Sequence, residues 1–324
     1  MALWQFVGRR AIGAGFLVAA AIALNFLLIH LAPGDPALML AGEAGGTSEE
    51  TLRQIRSEFG LDRPLLVQLG VYASRLVRGD FGQSYFYRRP VLELIGERVP
   101  ATLLIALPAL GLAALVGVTV GTLVARRPTA LASHAVSVLS LLGYAMPVFW
   151  TGIMLLLVFS VWLGWLPSHG MQTVGEAGGW WATTSDVLRH MVLPVGALGI
   201  IFVALYSRLT RASMLEVLPS DFVRTARAKG VAERRVVAVH ALRNALLPVL
   251  TVAGIQLGQV LAGTVLVETV FSWPGMGRLA FESILRRDYP LLLGILFFSS
   301  LAVIALNLLV DLVYGLLDPR IHHR

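Results

Sequence analysis

The chain has 324 residues, 56% of them hydrophobic and only 14% charged; a soluble domain carries about a quarter charged residues, so the composition excludes a soluble globular protein and marks an integral membrane protein. The formal charge is +7, from 26 Lys and Arg against 19 Asp and Glu, and Lys229 is the one lysine; the positive-inside bias of membrane proteins accounts for that excess without nucleic acid. The absence of cysteine removes disulfides, thiol nucleophiles and thiolate metal sites.

Arg9 and Arg10 precede an apolar run from Ala11 to Leu31. The run is longer than the core of a signal peptide, and P-G-D-P follows it without a small-residue cleavage site, so it is expected to be an uncleaved first span. Residues 32–100 form the long polar region. Thr47 and Glu50 make a capping box for a helix that ends at Gly60, with Leu52, Ile55 and Phe59 as its apolar stripe. Pro64 starts a second helix, with Leu65, Leu69, Tyr72 and Leu76 on one side and Gly79 at its end. Nine acidic residues from Asp35 to Glu97 nearly balance eight arginines from Arg53 to Arg98. That balance, after a basic N-terminus, places a folded cap on the outer side.

Further spans are expected at 101–125, 135–163, 190–207, 244–267 and 289–310, which with 11–31 makes about six. The third is longer than a span needs, and Pro147 or an interfacial stretch near Trp162 and Trp165 can use the excess. The fourth is expected to be the shortest. Arg126 and Arg127 make a basic turn on the cytoplasmic side, and residues 168–189 are outer. Glu268–Asp288 reads as a balanced outer loop containing W-P-G-M-G. Both termini fall in the cytoplasm. Residues 1–100 are read as first span plus cap, and 101–324 as the transmembrane core. The expected fold class is therefore an all-α integral membrane protein.

The most basic stretch lies between the fourth and fifth spans. Eight cations from Arg208 to Arg243 face Glu216, Asp221 and Glu233, so the stretch is cytoplasmic. From Pro219 to Pro248 it reads as two helices with a break. Ser220 is placed to cap the first, Asp221 sits in its first turn, Arg227 and Lys229 in its last, and Gly230 just past its end. Phe222, Val223 and Ala226 are expected to share one side, and Arg224 and Arg227 another. Glu233 opens the second helix. A short, two-faced basic helix of this kind is suited to touch a partner outside the membrane.

Much chemistry is missing. There is no G-x-x-x-x-G-K-[ST], H-E-x-x-H or G-x-S-x-G, so the chain holds no ATP phosphates of its own and shows no metalloprotease or serine-hydrolase signature. Its seven histidines are scattered, and neither a catalytic residue nor a metal ligand set is expected. The spans carry essentially no charge away from their ends, which argues against an ion-driven transporter. Their polar residues are mild: Asn25, Tyr144, Gln256, Gln259 and Asn307. The last four are candidates to line a pathway. For Gln256 and Gln259, three apart on one helix face, hydrogen bonding between helices is the reading placed ahead of a pathway role. The alternative function is a stand-alone ion-coupled secondary transporter or an intramembrane enzyme.

F-V-R-T-A-R-A-K-G-V followed by H-A-L-R-N-A-L-L-P resembles the cytoplasmic loop of binding-protein-dependent ABC importer permeases, in the dipeptide/oligopeptide/nickel branch. Supporting motifs run in the same order along nearly the whole chain: L-A-P-G-D-P-A (31–37), F-G-L-D-R-P-L (59–65), R-G-D-F-G-Q-S (78–84), V-E-T-V-F-S-W-P-G-M-G (267–277) and D-L-V-Y-G-L-L-D-P-R (311–320). The family's loop pattern is Glu-Ala-Ala, three residues, then Gly. Here Arg224 and Thr225 replace the Glu and first Ala, Ala226 and Gly230 match, and Arg243 stands where many relatives carry Pro. The resemblance implies a channel subunit for di- or oligopeptides or a similar solute in a bacterial inner membrane. It implies a second homologous permease, two ATPase subunits and an extracytoplasmic binding protein as partners. ATP and Mg would be bound by the ATPases, and this chain would need no cofactor. The ATPase-coupling residues it implies are Asp221, Phe222, Val223, Arg224, Ala226, Arg227, Gly230, Arg234, His240 and Asn244.

Overall fold

The computed structural model describes residues 3–31, 49–59, 61–175 and 179–317. The first half holds α1 (Leu3–Leu31), α2 (Glu49–Phe59), α3 (Leu65–Val77), α4 (Val91–Ala125), α5 (Leu131–Ala145) and α6 (Val148–Leu155), which a π-helical stretch continues to Trp162. Then come α7 (Trp180–Val217), α8 (Asp221–Ala228), α9 (Glu233–Arg235) with a π-helical stretch over Val236–Ala241, and α10 (Leu242–Gly263). The chain ends on α11 (Val265–Val270), α12 (Met276–Leu285) and α13 (Tyr289–Leu317). Among the described residues the one extended pairing is an isolated bridge between Gln83 and Pro90, so the all-α class holds. Among the described residues five helices are long and apolar enough to cross a bilayer, and α5 with α6 and its π-helical continuation makes a sixth candidate bent by 103°. The bend falls at Met146–Pro147, where Met146 is extended because a following proline disfavours the helical conformation.

Several helices outrun the hydrophobic runs that announced them. The fourth, expected over 190–207 as the shortest, is α7, the longest described helix at 38 residues. Arginines end an apolar run but not a helix, so α7 continues past Arg208 and Arg211, about 57 Å in all against a hydrocarbon core of about 30 Å. Likewise α4 begins at Val91, and α13 continues to Leu317. The span expected over 244–267 is instead interrupted at Thr264. Glu268, expected in an outer loop, lies in the short α11 and is completely buried, accepting a hydrogen bond from Thr102 Oγ1 at 2.7 Å. The motif at 31–37, Thr47 of the capping box, Gly60 and the end of the 311–320 motif lie outside the described residues.

The chain forms two compact units. One comprises residues 1–101, 261–265 and 275–324, and the other 102–260 and 266–274. In the first unit α1 lies along α13. Ile22, Leu76 and Phe297 form one buried cluster, and Val91, Leu94 and Ile95 of α4 pack with Met276, Leu279, Leu291 and Ile295 in another. The helix expected after Pro64 is present, and Gly79 ends it with a φ of +78°. Its buried side differs slightly from the expected stripe: Leu65 is exposed, whereas Gln68 is buried. Gln68 Oε1 accepts from His30 Nε2 at 2.9 Å, and its Nε2 donates to the carbonyls of Leu61 and Arg63. Asp288 is the other organiser. It accepts from Ser84 Oγ at 2.5 Å and from the backbone of Phe86, and it caps α13 through the Leu291 N–H.

The second unit is built on α7. Gly117 and Gly121 of α4 press against it so closely that a Cβ at Gly121 would stand 2.5 Å from the Ser207 carbonyl and one at Gly117 2.7 Å from the Tyr206 Cβ. This is the small-xxx-small spacing that lets two membrane helices touch backbone to backbone. On another side α5 meets α7 through Ser140 to Ser207 at 2.9 Å, Arg211 to Ser133 at 3.0 Å, and Gly143 against Ala204. Phe271, at the end of α11, accepts from the Gly170 N–H, and its ring covers Gly152 of α6. Gly121→Leu is expected to destabilise the protein by about 1–3 kcal/mol or more through overpacking, seen as a lower unfolding temperature in detergent. Gly111→Leu, where nothing stands within 4 Å of a Cβ, is expected to change it little.

Candidate functional site: the basic loop

The loop helix forms as its residue order dictates. Asp221 opens α8, Arg227 lies in its last turn, and Gly230 takes a φ of +76° just beyond, closing the helix through the Gly230 N–H to the Arg227 carbonyl at 2.9 Å. One local expectation fails. The Ser220 side chain does not cap α8; its hydroxyl donates backwards to the Val217 carbonyl at 2.6 Å. The preceding helix α7 ends there, and its last carbonyls compete for the same hydroxyl.

Val223 and Ala226 are buried, and they seat α8 on Ala125 of α4, Met214 of α7 and Val236, Val237, Ala241 and Ala245 of the returning helix. Phe222 does not join them: it is 46% exposed. Phe222 and Val223 flank Ala226 at about 40° on one side and about 60° on the other, and the seat covers the Val223 side, leaving Phe222 at its edge. Val223 is therefore spent on the chain's own core, and Phe222 is the apolar group α8 offers outward.

The charges sit around this seat. Arg224 pairs with Asp221. Arg227 donates from Nε and Nη2 to Glu233 at 3.1 and 2.9 Å, bridging the Gly230 turn. That hydrogen bond raises the Arg227 pKa above its already high ordinary value. Arg234 is exposed. His240 lies in the π-helical stretch, where the wider turn leaves carbonyls short of partners, and Asn244 Nδ2 donates to the His240 carbonyl at 2.9 Å. The seat residues Met214, Val237, Ala241 and Ala245 were not anticipated. Their signal was present in the apolar spacing of 237, 241 and 245, four apart, at the start of the fifth span.

The four pathway candidates have no common setting among the described residues. Tyr144 is half exposed, with the Arg208 guanidinium 5.3 Å from its ring centre. Gln256 is half-buried on α10, the Gln259 side chain lies outside the described residues, and Asn307 is exposed on α13 in the other unit.

Residues 117–323 match the family described as "Binding-protein-dependent transport system inner membrane component", and residues 3–106 match the N-terminal region of such membrane components. The chain is 41% identical to the dipeptide transport system permease protein DppB of Escherichia coli (strain K12), over an alignment of 344 residues that covers 99% of each. It is 43% identical to the di/tripeptide transport system permease protein DppB of Pseudomonas aeruginosa (strain UCBPP-PA14), over 316 residues covering 93% of this chain and 94% of that one.

Val223→Asp is expected to unseat α8 without touching its exposed side, because an unpaired carboxylate cannot stay in an apolar seat. Limited trypsin digestion reads this as much faster cleavage after Arg224, Arg227 and Lys229 than in the parent. Phe222→Asp is expected to leave the cleavage rate nearly unchanged.

Proposed function

This chain belongs to the binding-protein-dependent transport system inner membrane component family, and from that premise we propose that it is the channel subunit of an ATP-driven importer for di- or oligopeptides. The observation that carries the reading is the likeness to dipeptide permeases over nearly the full length of both chains. The family is one of transport permeases, not of enzymes, and the stand-alone ion-coupled transporter and the intramembrane enzyme fall away with it.

In this reading the chain pairs with a second homologous permease. Two separate ATPase subunits bind ATP and Mg and dock on the loop 219–248, and a soluble binding protein delivers peptide from outside. Both termini and the loop lie in the cytoplasm in this reading, an orientation the charge excess of the loop supports. The seat of α8 supports the coupling role. A helix wedged by Val223 and Ala226 against the ends of two long helices moves as one body with them. Phe222, exposed and flanked by Arg224, is the anchor it presents to an apolar pocket on the ATPase. Closing of the ATPase dimer then moves α8 and tilts the helices it is seated on, giving alternating access by rigid-body motion.

Phe222→Ala is expected to weaken recovery of the ATPase subunits in gentle detergent about 30-fold, the loss of one aromatic anchor, and to reduce peptide uptake with it. Unchanged recovery and uptake would remove Phe222 from the interface. Gly230→Pro is expected to insert normally and abolish uptake, since proline fixes φ near −65° where the chain needs +76°. Uptake at the parent rate by that variant would refute the coupling role of the loop.

A further inference from the structure

Arg126 and Arg127, in the turn between α4 and α5, are exposed, and among the described residues no hydrogen bond or ion pair holds either side chain, the Glu233 charge acting on Arg126 only from a distance. The other basic groups of the loop helix are engaged differently: Arg224 has Asp221, and Arg227 has Glu233. Arg126, Arg127 and Arg227 converge on one cleft of about 500 Å³, whose other walls are Leu123, Leu218 and Glu233. The Glu233 carboxylate faces that space, but both its oxygens already accept from Arg227, which keeps N–H donors to spare. The positive-inside tendency explains why arginines occupy this turn. It does not explain why they meet a third one over an apolar wall.

The wall leads somewhere. Val116, Val120 and Leu123 of α4 follow at steps of four and three, so they line one face of the helix, and Arg127 stands in the turn two residues past its end. Val116 and Val120 also line an apolar groove of about 670 Å³ between α4, α5 and α7, together with Val136, Leu139 and Val203. From Val120 to the end of α4 at Ala125 is about 7.5 Å along the helix, and the two arginines follow directly. Leu123 and, at the head of α5, Leu131 are largely exposed, as residues at acyl-chain depth would be. A cationic cleft therefore opens at the end of an oily groove, at the level where a bilayer places phosphate above hydrocarbon.

We propose that cleft and groove together bind one phospholipid with an anionic headgroup, its phosphate on Arg126, Arg127 and Arg227 and an acyl chain along Val116 and Val120. An acidic lipid suits the site better than a zwitterionic one, because the cleft carries three guanidiniums against the single carboxylate of Glu233. It suits the site better than free phosphate, because only a lipid also occupies the groove.

The test is native mass spectrometry of the full chain purified in detergent and titrated with phosphatidylglycerol, phosphatidylcholine or inorganic phosphate. The parent is expected to retain phosphatidylglycerol and to release phosphatidylcholine. Arg126→Ala/Arg127→Ala is expected to weaken that retention about 30-fold, at about tenfold per 1.4 kcal/mol and one surface charge each. Arg126→Lys/Arg127→Lys keeps the charge and is expected to keep most of the retention. It serves as the folding control, alongside an unchanged unfolding temperature for the alanine pair. Val120→Trp, which fills the groove and leaves the cleft, is expected to weaken retention too. Equal retention of both lipids, or of phosphatidylglycerol by parent and alanine pair alike, would overturn the proposal. So would competition by inorganic phosphate at matching concentration, which would leave a phosphate site only. Loss of the lipid whenever a second permease is bound would assign the groove to a protein helix and overturn it equally.

Discussion

The second unit rests on a place where no side chain fits. Gly117 and Gly121 let α4 lie on the backbone of α7 between Tyr206 and Arg211, with the nearest atoms where a Cβ would stand only 2.5 to 2.8 Å away. In a bilayer the hydrophobic effect does not drive helices together, since lipid is as apolar as leucine. Dispersion at close range must do it, and dispersion falls off steeply with the gap. The same helix then offers its other sides to α5, through Ser140–Ser207 and Ser133–Arg211. Polar contacts of this kind tie the register of one helix to another more tightly than apolar contact alone.

That rigid junction gives the loop helix something to be attached to. Ala125 ends α4 and Met214 lies near the end of α7, and both are in the seat of Val223 and Ala226. Movement of α8 is thus applied to the same pair of helices that the glycines lock together. The residues around the seat divide by exposure. Those facing inward are small or aliphatic and hold position, while Phe222, Arg224 and Arg234 face outward and are available to a partner.

The first unit solves a different problem, that of burying polar groups. Gln68 and Asp288 are each almost fully buried and each is surrounded by donors or acceptors from distant parts of the chain. A buried polar group without partners costs about 1–3 kcal/mol, so each acts as a test of assembly that the correct fold passes. Around Asp288 the aromatic loop is held further, with Arg286 over the Phe86 ring at 3.7 Å and Tyr87 donating to Glu282 at 3.0 Å.

The residue string alone determined what depends on composition and on short spacing. Membrane embedding, the helical class, the excess length of the third span, the loop helix and its end at Gly230 follow from hydropathy and the left-handed freedom of glycine, all properties of a few neighbouring residues, whereas Pro147 was one of two places where that excess could be used. The motif order pointed to the family for the same reason, since it needs no knowledge of contacts. Three-dimensional packing decided the rest. Whether Phe222 or Val223 faces inward depends on where Met214 and Ala125 stand, and neither is near in the chain. Ser220 could serve either of two helix ends, and only the geometry of α7 chose between them. Glu268 looked like a loop residue because its partner, Thr102, is 166 positions away. Helix ends outran the apolar runs because charge stops a membrane crossing but leaves the backbone hydrogen bonds of a helix intact.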